Sequence, residues 1–149
     1  MQTFLPHPDF YRSAEILDYR RLGKQRVECK QILMALTGQS NGWRNHPATK
    51  MWAGHEYWLA EYAVAMCSQW RKLGYKDTLL EYFQDFLESQ RVAERLTGVV
   101  VASRWLPPFW LGNPKLHASH RSNLLRKDPL YYSRFGWRES PDLDYVWPV

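Results

Sequence analysis

An all-α fold is what this chain predicts, and two patterns carry the prediction. From Thr49 to Leu73, the residues Trp52, His55, Leu59, Tyr62, Met66, Trp70 and Leu73 recur at steps of three and four, the period of an amphipathic helix. Earlier in the chain, Leu22, Cys29, Leu33 and Leu36 share one helical face, while Arg21, Lys24, Gln25 and Glu28 share another. Together they predict a single compact domain over residues 1–149. It has about three main helices, an extended N-terminal arm and an irregular aromatic C-terminal segment.

The elements follow in order. Pro6 and Pro8 remove amide donors and force extended neighbours, so residues 1–11 form an arm rather than a helix. A first helix runs from Ser13 to about Thr37 and stops at Gly38, with Gly23 as a place where it can bend. Residues 38–47 form a loop. The second helix spans Thr49–Leu73 without a break and ends at Gly74. Asp77 caps a third over about 78–97, with Leu80, Phe83, Phe86 and Leu87 inward. Val99-Val100-Val101 reads as a short strand or a buried connection. Trp105-Leu106-Pro107-Pro108-Phe109-Trp110 is a rigid aromatic loop, a short helix follows near 116–126, and Pro129 opens the tail.

Composition narrows the function. The 149 residues carry a net charge of +5 and a pI near 9.3, with eight Trp and nine Tyr. Cations neutralise phosphates and flat rings stack on bases, so a nucleic-acid partner fits; a basic protein with a large aromatic core fits too. Residues 1–50 hold eight Lys/Arg against four Asp/Glu, and residues 101–149 seven against four. Residues 51–100 hold five against seven, which makes the ends the cationic surface and the middle a scaffold. Cys29 and Cys67 read as reduced core thiols in a cytoplasmic protein. No disulfide framework, signal peptide or membrane-spanning run is expected.

The most specific motif is a carboxylate on a basic helix, Arg26-Val27-Glu28, set fourteen positions before Gly42-Trp43-Arg44-Asn45-His46-Pro47. A carboxylate among cations, facing a loop that can bind phosphate and stack on a base, suggests chemistry on a nucleic acid. This spacing, with His7-Pro8 in the arm, resembles the pyrimidine-dimer DNA glycosylase family (the endonuclease V family, bacterial branch). Gly74-Tyr75-Lys76-Asp77 resembles the family's Gly-aromatic turn. His120 through Pro129-Leu130-Tyr131-Tyr132 resembles its histidine, basic helix and proline-aromatic end. Residues 84–115 are not covered. Where the family has Trp-Arg before the glutamate this chain has Arg26-Val27, so the phosphate contact shifts to Arg21, Lys24 or Arg26.

The resemblance implies a DNA glycosylase with abasic-site lyase activity, whose nucleophile is an N-terminal α-amine that forms a Schiff base before β-elimination. An α-amine ordinarily titrates near 7.7–8.0, well below a lysine, so a useful fraction is nucleophilic at neutral pH. A carboxylate beside it stabilises the cationic sugar and moves protons. Here Met1 would supply the amine, because Gln2 is too bulky for ready removal of the initiator, and Glu28 the carboxylate. The DNA-contact set comprises Gln2, Arg20, Arg21, Lys24, Arg26, Trp43, Arg44, Asn45, His46, His120, Arg121, Lys127, Tyr131, Tyr132 and Arg134. Neither metal nor organic cofactor is expected, and a monomer acting on duplex DNA with a damaged or modified pyrimidine is.

Plainer readings compete at several positions. Glu28 could be a solvated helix glutamate paired with Lys24 or Lys30, and His46 could only cap the next helix. His55 lies in the apolar stripe as a satisfied core histidine. His117 and His120 sit one turn apart, but a third metal ligand is missing. Tyr131, Tyr132, Phe135 and Trp137 either stack on unstacked bases or pin the tail. Two rival functions stay open: the same chemistry on another modified pyrimidine, and a non-catalytic DNA-binding protein on the same fold.

Overall fold

The computed structural model describes residues 1–99 and 102–149, and every regular element among them is helical. In chain order these are α1 (Phe10–Ile16), α2 (Tyr19–Leu36), α3 (Pro47–Trp52), α4 (Glu56–Lys72), α5 (Leu80–Thr97), α6 (Ala102–Trp105), α7 (Pro114–Lys127) and α8 (Pro129–Tyr132). A 3-10 turn over Ser133–Phe135 ends the series. Long helices are thus α2, α4, α5 and α7, one more than the sequence reading expected. α4 is central, packing against α1, α2 and α5.

Helix starts are set by side-chain oxygens that accept otherwise orphaned amide protons. Asp9 accepts from Arg12, Asp18 from Arg21, Asn113 from Lys115 and Asp128 from Tyr131. Proline follows the cap in α3, α7 and α8, where its missing N–H is no loss. At the start of α5 the Leu80 N–H donates to Asp77, as the sequence suggested.

Two expected helices are each divided. The one read as Ser13–Thr37 breaks at Leu17 and Asp18, both in extended conformation. Asp18 is held there by Tyr132, whose hydroxyl donates to its carboxylate and accepts its N–H at 3.0 Å. Gly23 does not interrupt the helix. It lies within α2, where an added Cβ would come within 3.0 Å of the Trp70 ring, so glycine permits α4 to approach. The helix read as Thr49–Leu73 divides at Ala53-Gly54-His55, with Gly54 at φ +80°. His55 opens α4 half-buried with Nδ1 unpartnered, which corrects its reading as a satisfied core histidine. Val99 is exposed, and Val100 and Val101 of the supposed strand lie outside the described residues.

The arm is not a loose extension but a thread through the core. Gln2, Thr3, Phe4 and Leu5 are all buried. Trp52 donates its indole N–H to Thr3 Oγ1 at 3.0 Å, and Phe4 N–H donates to Gln25 Oε1 at 2.7 Å. Both polar groups of Leu5 are taken by α7. Its N–H donates to His120 Nδ1 and its carbonyl accepts from His117 Nδ1, each at 2.8 Å. The second His117 nitrogen accepts from Gly112 N–H at 2.9 Å, which fixes the neutral tautomer.

That clamp makes stability pH-dependent. Burial first, then the charges of His117 and Arg121, push His120 down to about 3, and burial also lowers His117. The unfolded chain takes up a proton near 6.5 whereas the folded one does not, so this stabilisation is full above 6.5 and lost as pH falls toward about 3. Urea unfolding should show a loss of about 2 kcal/mol between pH 7 and pH 5 from His120 alone. A flat profile over that interval would show that the clamp tolerates the proton.

Residues 136–149 form a strap laid along α7. Ser122 donates to the Ser140 carbonyl and accepts from Leu143 N–H at 3.0 Å. Asn123 donates to the Leu143 carbonyl at 3.0 Å, and Ser119 accepts from Val146 N–H at 3.1 Å. These three polar residues are buried in the middle of a helix, and the strap's backbone shares their bonding with partners inside α7, the Leu116 and Ser119 carbonyls and Arg126.

Candidate active site

A cleft of about 680 Å³ opens where the arm, α2, the α7–α8 junction and the strap meet. Met1, Gln2 and Phe4 come from the arm, and Arg20, Lys24, Gln25 and Glu28 from successive turns of α2. Lys127, Asp128 and Tyr131 form the far wall, and Tyr145 of the strap closes it.

Glu28 is the organised group of the cleft. Its Oε2 accepts from Gln2 N–H at 3.3 Å and from Gln25 Nε2 at 3.4 Å. Gln25 is itself locked, since its Oε1 takes Phe4 N–H and lies 2.8 Å from the Tyr62 hydroxyl. The carboxylate is therefore oriented by neutral donors. Among the described residues no ion pair joins it to a cation, so pairing with Lys24 or Lys30 does not occur.

His46, from the second half of the motif, does not line the cleft but lies near enough for the charges of the residue 1 amine and Glu28 to reach it. Its Nδ1 accepts Ala48 N–H at 3.0 Å and caps α3, so the neutral ring carries its proton on Nε2. Partial burial and the positive charge of the residue 1 amine hold His46 below the usual histidine range, against an opposing pull from Glu28. The ring lies edge-on to Trp43 at 5.8 Å and to Trp147 at 6.0 Å. Trp43 is half exposed at φ +63°, a conformation that is costly for a side chain of its size. Capping and proximity to the cleft coexist at His46.

The sequence-read contact residues divide by location. Met1, Gln2, Arg20, Arg21, Lys24, Lys127 and Tyr131 line the cleft with Glu28. Arg20, Lys24 and Lys127 are exposed and present cations to it, while Arg21 also pairs with Asp18 at 3.1 Å. Hydrogen bonds from Tyr132 and Arg21 outweigh burial and hold the Asp18 carboxyl below its ordinary range. Arg44 and Asn45 are exposed on the Trp43 loop, and Arg134 is exposed over the Tyr131 ring at 4.0 Å.

Four residues of that set are placed elsewhere. Arg26 turns to Asp77 at 2.6 Å and to the Trp70 face at 4.9 Å, so its guanidinium is spent inside the protein. Arg121 binds Glu139 at 2.6 Å and the Pro6 carbonyl at 2.9 Å. His120 and Tyr132 are fully buried, the first in the Leu5 clamp and the second against Asp18. Trp137 and Phe135 stack with each other at 5.2 Å and Trp137 stacks on Tyr132 at 5.6 Å, which makes this group a pin for the tail. His117 and His120 bind backbone, and no cluster of three metal-ligating side chains occurs among the described residues.

Sequence reasoning missed Gln25, Tyr145 and Trp147. Gln25 had a signal, three positions before Glu28 on the polar face of a helix. The strap residues had none, because only the fold carries them to the cleft.

No curated protein and no solved structure matches the chain. The family profile described as "Pyrimidine dimer DNA glycosylase" matches residues 1–82, a span that holds the arm, α1 to α4, Glu28 and the His46 loop. With more than half of its length matched, the chain belongs to the pyrimidine dimer DNA glycosylase family.

Proposed function

We propose that this protein excises a damaged pyrimidine from duplex DNA and then cleaves the strand as an abasic-site lyase. The α-amine of residue 1 attacks the sugar carbon that bears the base. The base leaves with a proton, the amino sugar becomes an imine, and β-elimination breaks the bond to the 3′ phosphate. Glu28 stabilises the cationic sugar and carries protons between these steps. Arg20, Lys24, Lys127 and the exposed Arg44 meet the phosphates. Tyr131 meets the opened strand. Kinking the duplex to expose the sugar costs a few kcal/mol, recovered from those contacts. The protein acts as a single-domain monomer without a cofactor.

The observation that carries the reading is the convergence in one cleft of residue 1, a carboxylate in no ion pair among the described residues, and exposed cations. The same carboxylate weakens the rival of a DNA-binding protein without catalysis, in which a salt bridge would have taken it.

Borohydride trapping is the direct test. With duplex DNA containing one abasic site, the reduced protein–DNA adduct should form and its peptide should map to residue 1. An adduct on a lysine, or none from folded protein, would overturn the amine assignment.

A further inference from the structure

We infer that Gln25 is a positioning residue for the chemistry: its one amide holds the arm that carries residue 1 and the Glu28 carboxylate in a fixed mutual relation. This rests on the proposed function and names the group that sets its geometry.

Gln25 and Glu28 stand three positions apart on α2, side by side on one face of the helix. Gln25 is 1% exposed, and the two ends of its amide serve different partners. Oε1 accepts the Phe4 N–H at 2.7 Å, and Nε2 donates to Glu28 Oε2 at 3.4 Å. The amide cannot turn over. A flipped amide would set an N–H against the Phe4 N–H and a carbonyl oxygen against a carboxylate. Tyr62, fully buried on α4, locks the arrangement, its hydroxyl 2.8 Å from Gln25 Oε1 and 2.7 Å from the Phe4 carbonyl.

The arm therefore meets Glu28 twice. Gln2 N–H, the first amide after residue 1, donates directly to Oε2 at 3.3 Å. Phe4 N–H reaches the same oxygen by way of Gln25. Thr3, between them, is pinned by the Trp52 indole. Both donors bond Oε2, and among the described residues neither reaches Oε1, which leaves that oxygen to exchange protons in the cleft. The link is neutral from end to end, so it orients the carboxylate without cancelling the charge needed opposite a sugar cation. Its bond to Glu28 is long, as catalytic hydrogen bonds in unliganded sites often are. A displacement of about 1 Å between reacting groups can cost on the order of a hundredfold, so the tether has leverage on rate.

The test measures Kd for lesion duplex beside single-turnover rates on two substrates, a pyrimidine dimer and a preformed abasic site. Gln25→Met keeps the length of the side chain and removes both bonds. It should slow both reactions by about tenfold or more, to a similar extent, with Kd within about threefold. Tyr62→Phe keeps the ring against Phe10 and Trp52 and removes only the lock, so both rates should fall by about threefold or more in folded protein. Added to Glu28→Gln, Gln25→Met should slow the residual rate by less than about threefold, because the group it positions is already gone. Gln25→Met rates within threefold of wild type, a loss on the dimer alone, a Kd that weakens in step with rate, or fully multiplicative losses in the double variant would each overturn the inference. If Gln25→Met does not fold, Tyr62→Phe at the wild-type rate overturns it alone. Wild-type protein that forms no Schiff base with abasic DNA would instead overturn the underlying function.

Discussion

Glu28→Gln should abolish turnover while leaving DNA binding nearly intact. The change replaces a carboxylate oxygen with an amide of the same size, so the cleft keeps its shape and its cations. In the proposed mechanism this removes the negative charge that opposes the developing sugar cation and the group that accepts protons during imine formation. The hydrogen bonds that Glu28 accepts come from Gln2 N–H and Gln25 Nε2, both neutral donors, and the amide oxygen of glutamine can still take one of them. Excision should fall by at least a hundredfold, about 2.7 kcal/mol of barrier, with the Kd for lesion DNA within about threefold. Single-turnover kinetics beside a binding isotherm separates the two. A variant that keeps turnover within tenfold would move the role to another carboxylate, with Asp18 and Asp128 in the same cleft as the candidates.

The largest loss of stability should come from Asp77→Ala, far from the chemistry. The Asp77 side chain is fully buried and collects three donors: Arg26 at 2.6 Å, Arg71 at 3.2 Å and the Leu80 N–H at 2.9 Å. Burial works to raise this carboxyl, but Arg26 and the Leu79 and Leu80 amides win and hold it below the ordinary range. Arg26 itself is only 11% exposed. Removing Asp77 leaves that guanidinium without its anion beside Trp70 and uncaps α5, a combination expected to cost about 3–5 kcal/mol. Arg71→Ala should cost less than about 1 kcal/mol, because Arg71 sits where water can replace it. Urea unfolding of both variants measures the contrast. An Asp77→Ala loss below about 1 kcal/mol would show that Arg26 reaches solvent when released, and would return it to the set of possible phosphate contacts.

Much of the architecture was legible because it is local. The faces of α2 and α4 follow from apolar spacing. The cap-and-proline pairs His46-Pro47, Asn113-Pro114 and Asp128-Pro129, which start α3, α7 and α8, are passed over in placing helices near Thr49 and 116 and in reading an irregular tail after Pro129. The two helix breaks were hidden by the same periodicity. Apolar residues continue in phase through Gly54, and Asp18 is an unremarkable residue for a helical surface until Tyr132 reaches it from 114 positions away. The site was legible in the same uneven way. Glu28 and the His46 loop stand at a specific spacing and do share one region, whereas Arg26 was assigned to phosphate because its partner Asp77 lies 51 positions on. A basic residue on a polar face looks alike in sequence whether it meets a ligand or a buried aspartate. Composition could not decide the aromatic tail either: Tyr132 and Trp137 turned inward while Tyr131 and Tyr145 line the cleft.

The clamp on Leu5 has a consequence for how the site comes into being. Leu5 gains its buried seat by bonding to two histidines more than a hundred positions later in the chain. Closing so long a loop is entropically unfavourable and slow compared with forming any one helix. Leu5 can take this seat only once α7 has formed. Until then the arm is held only by bonds within the first helices, among them Phe4 N–H to Gln25 and Trp52 to Thr3. Topology alone thereby places the final seating of the arm after the formation of α7.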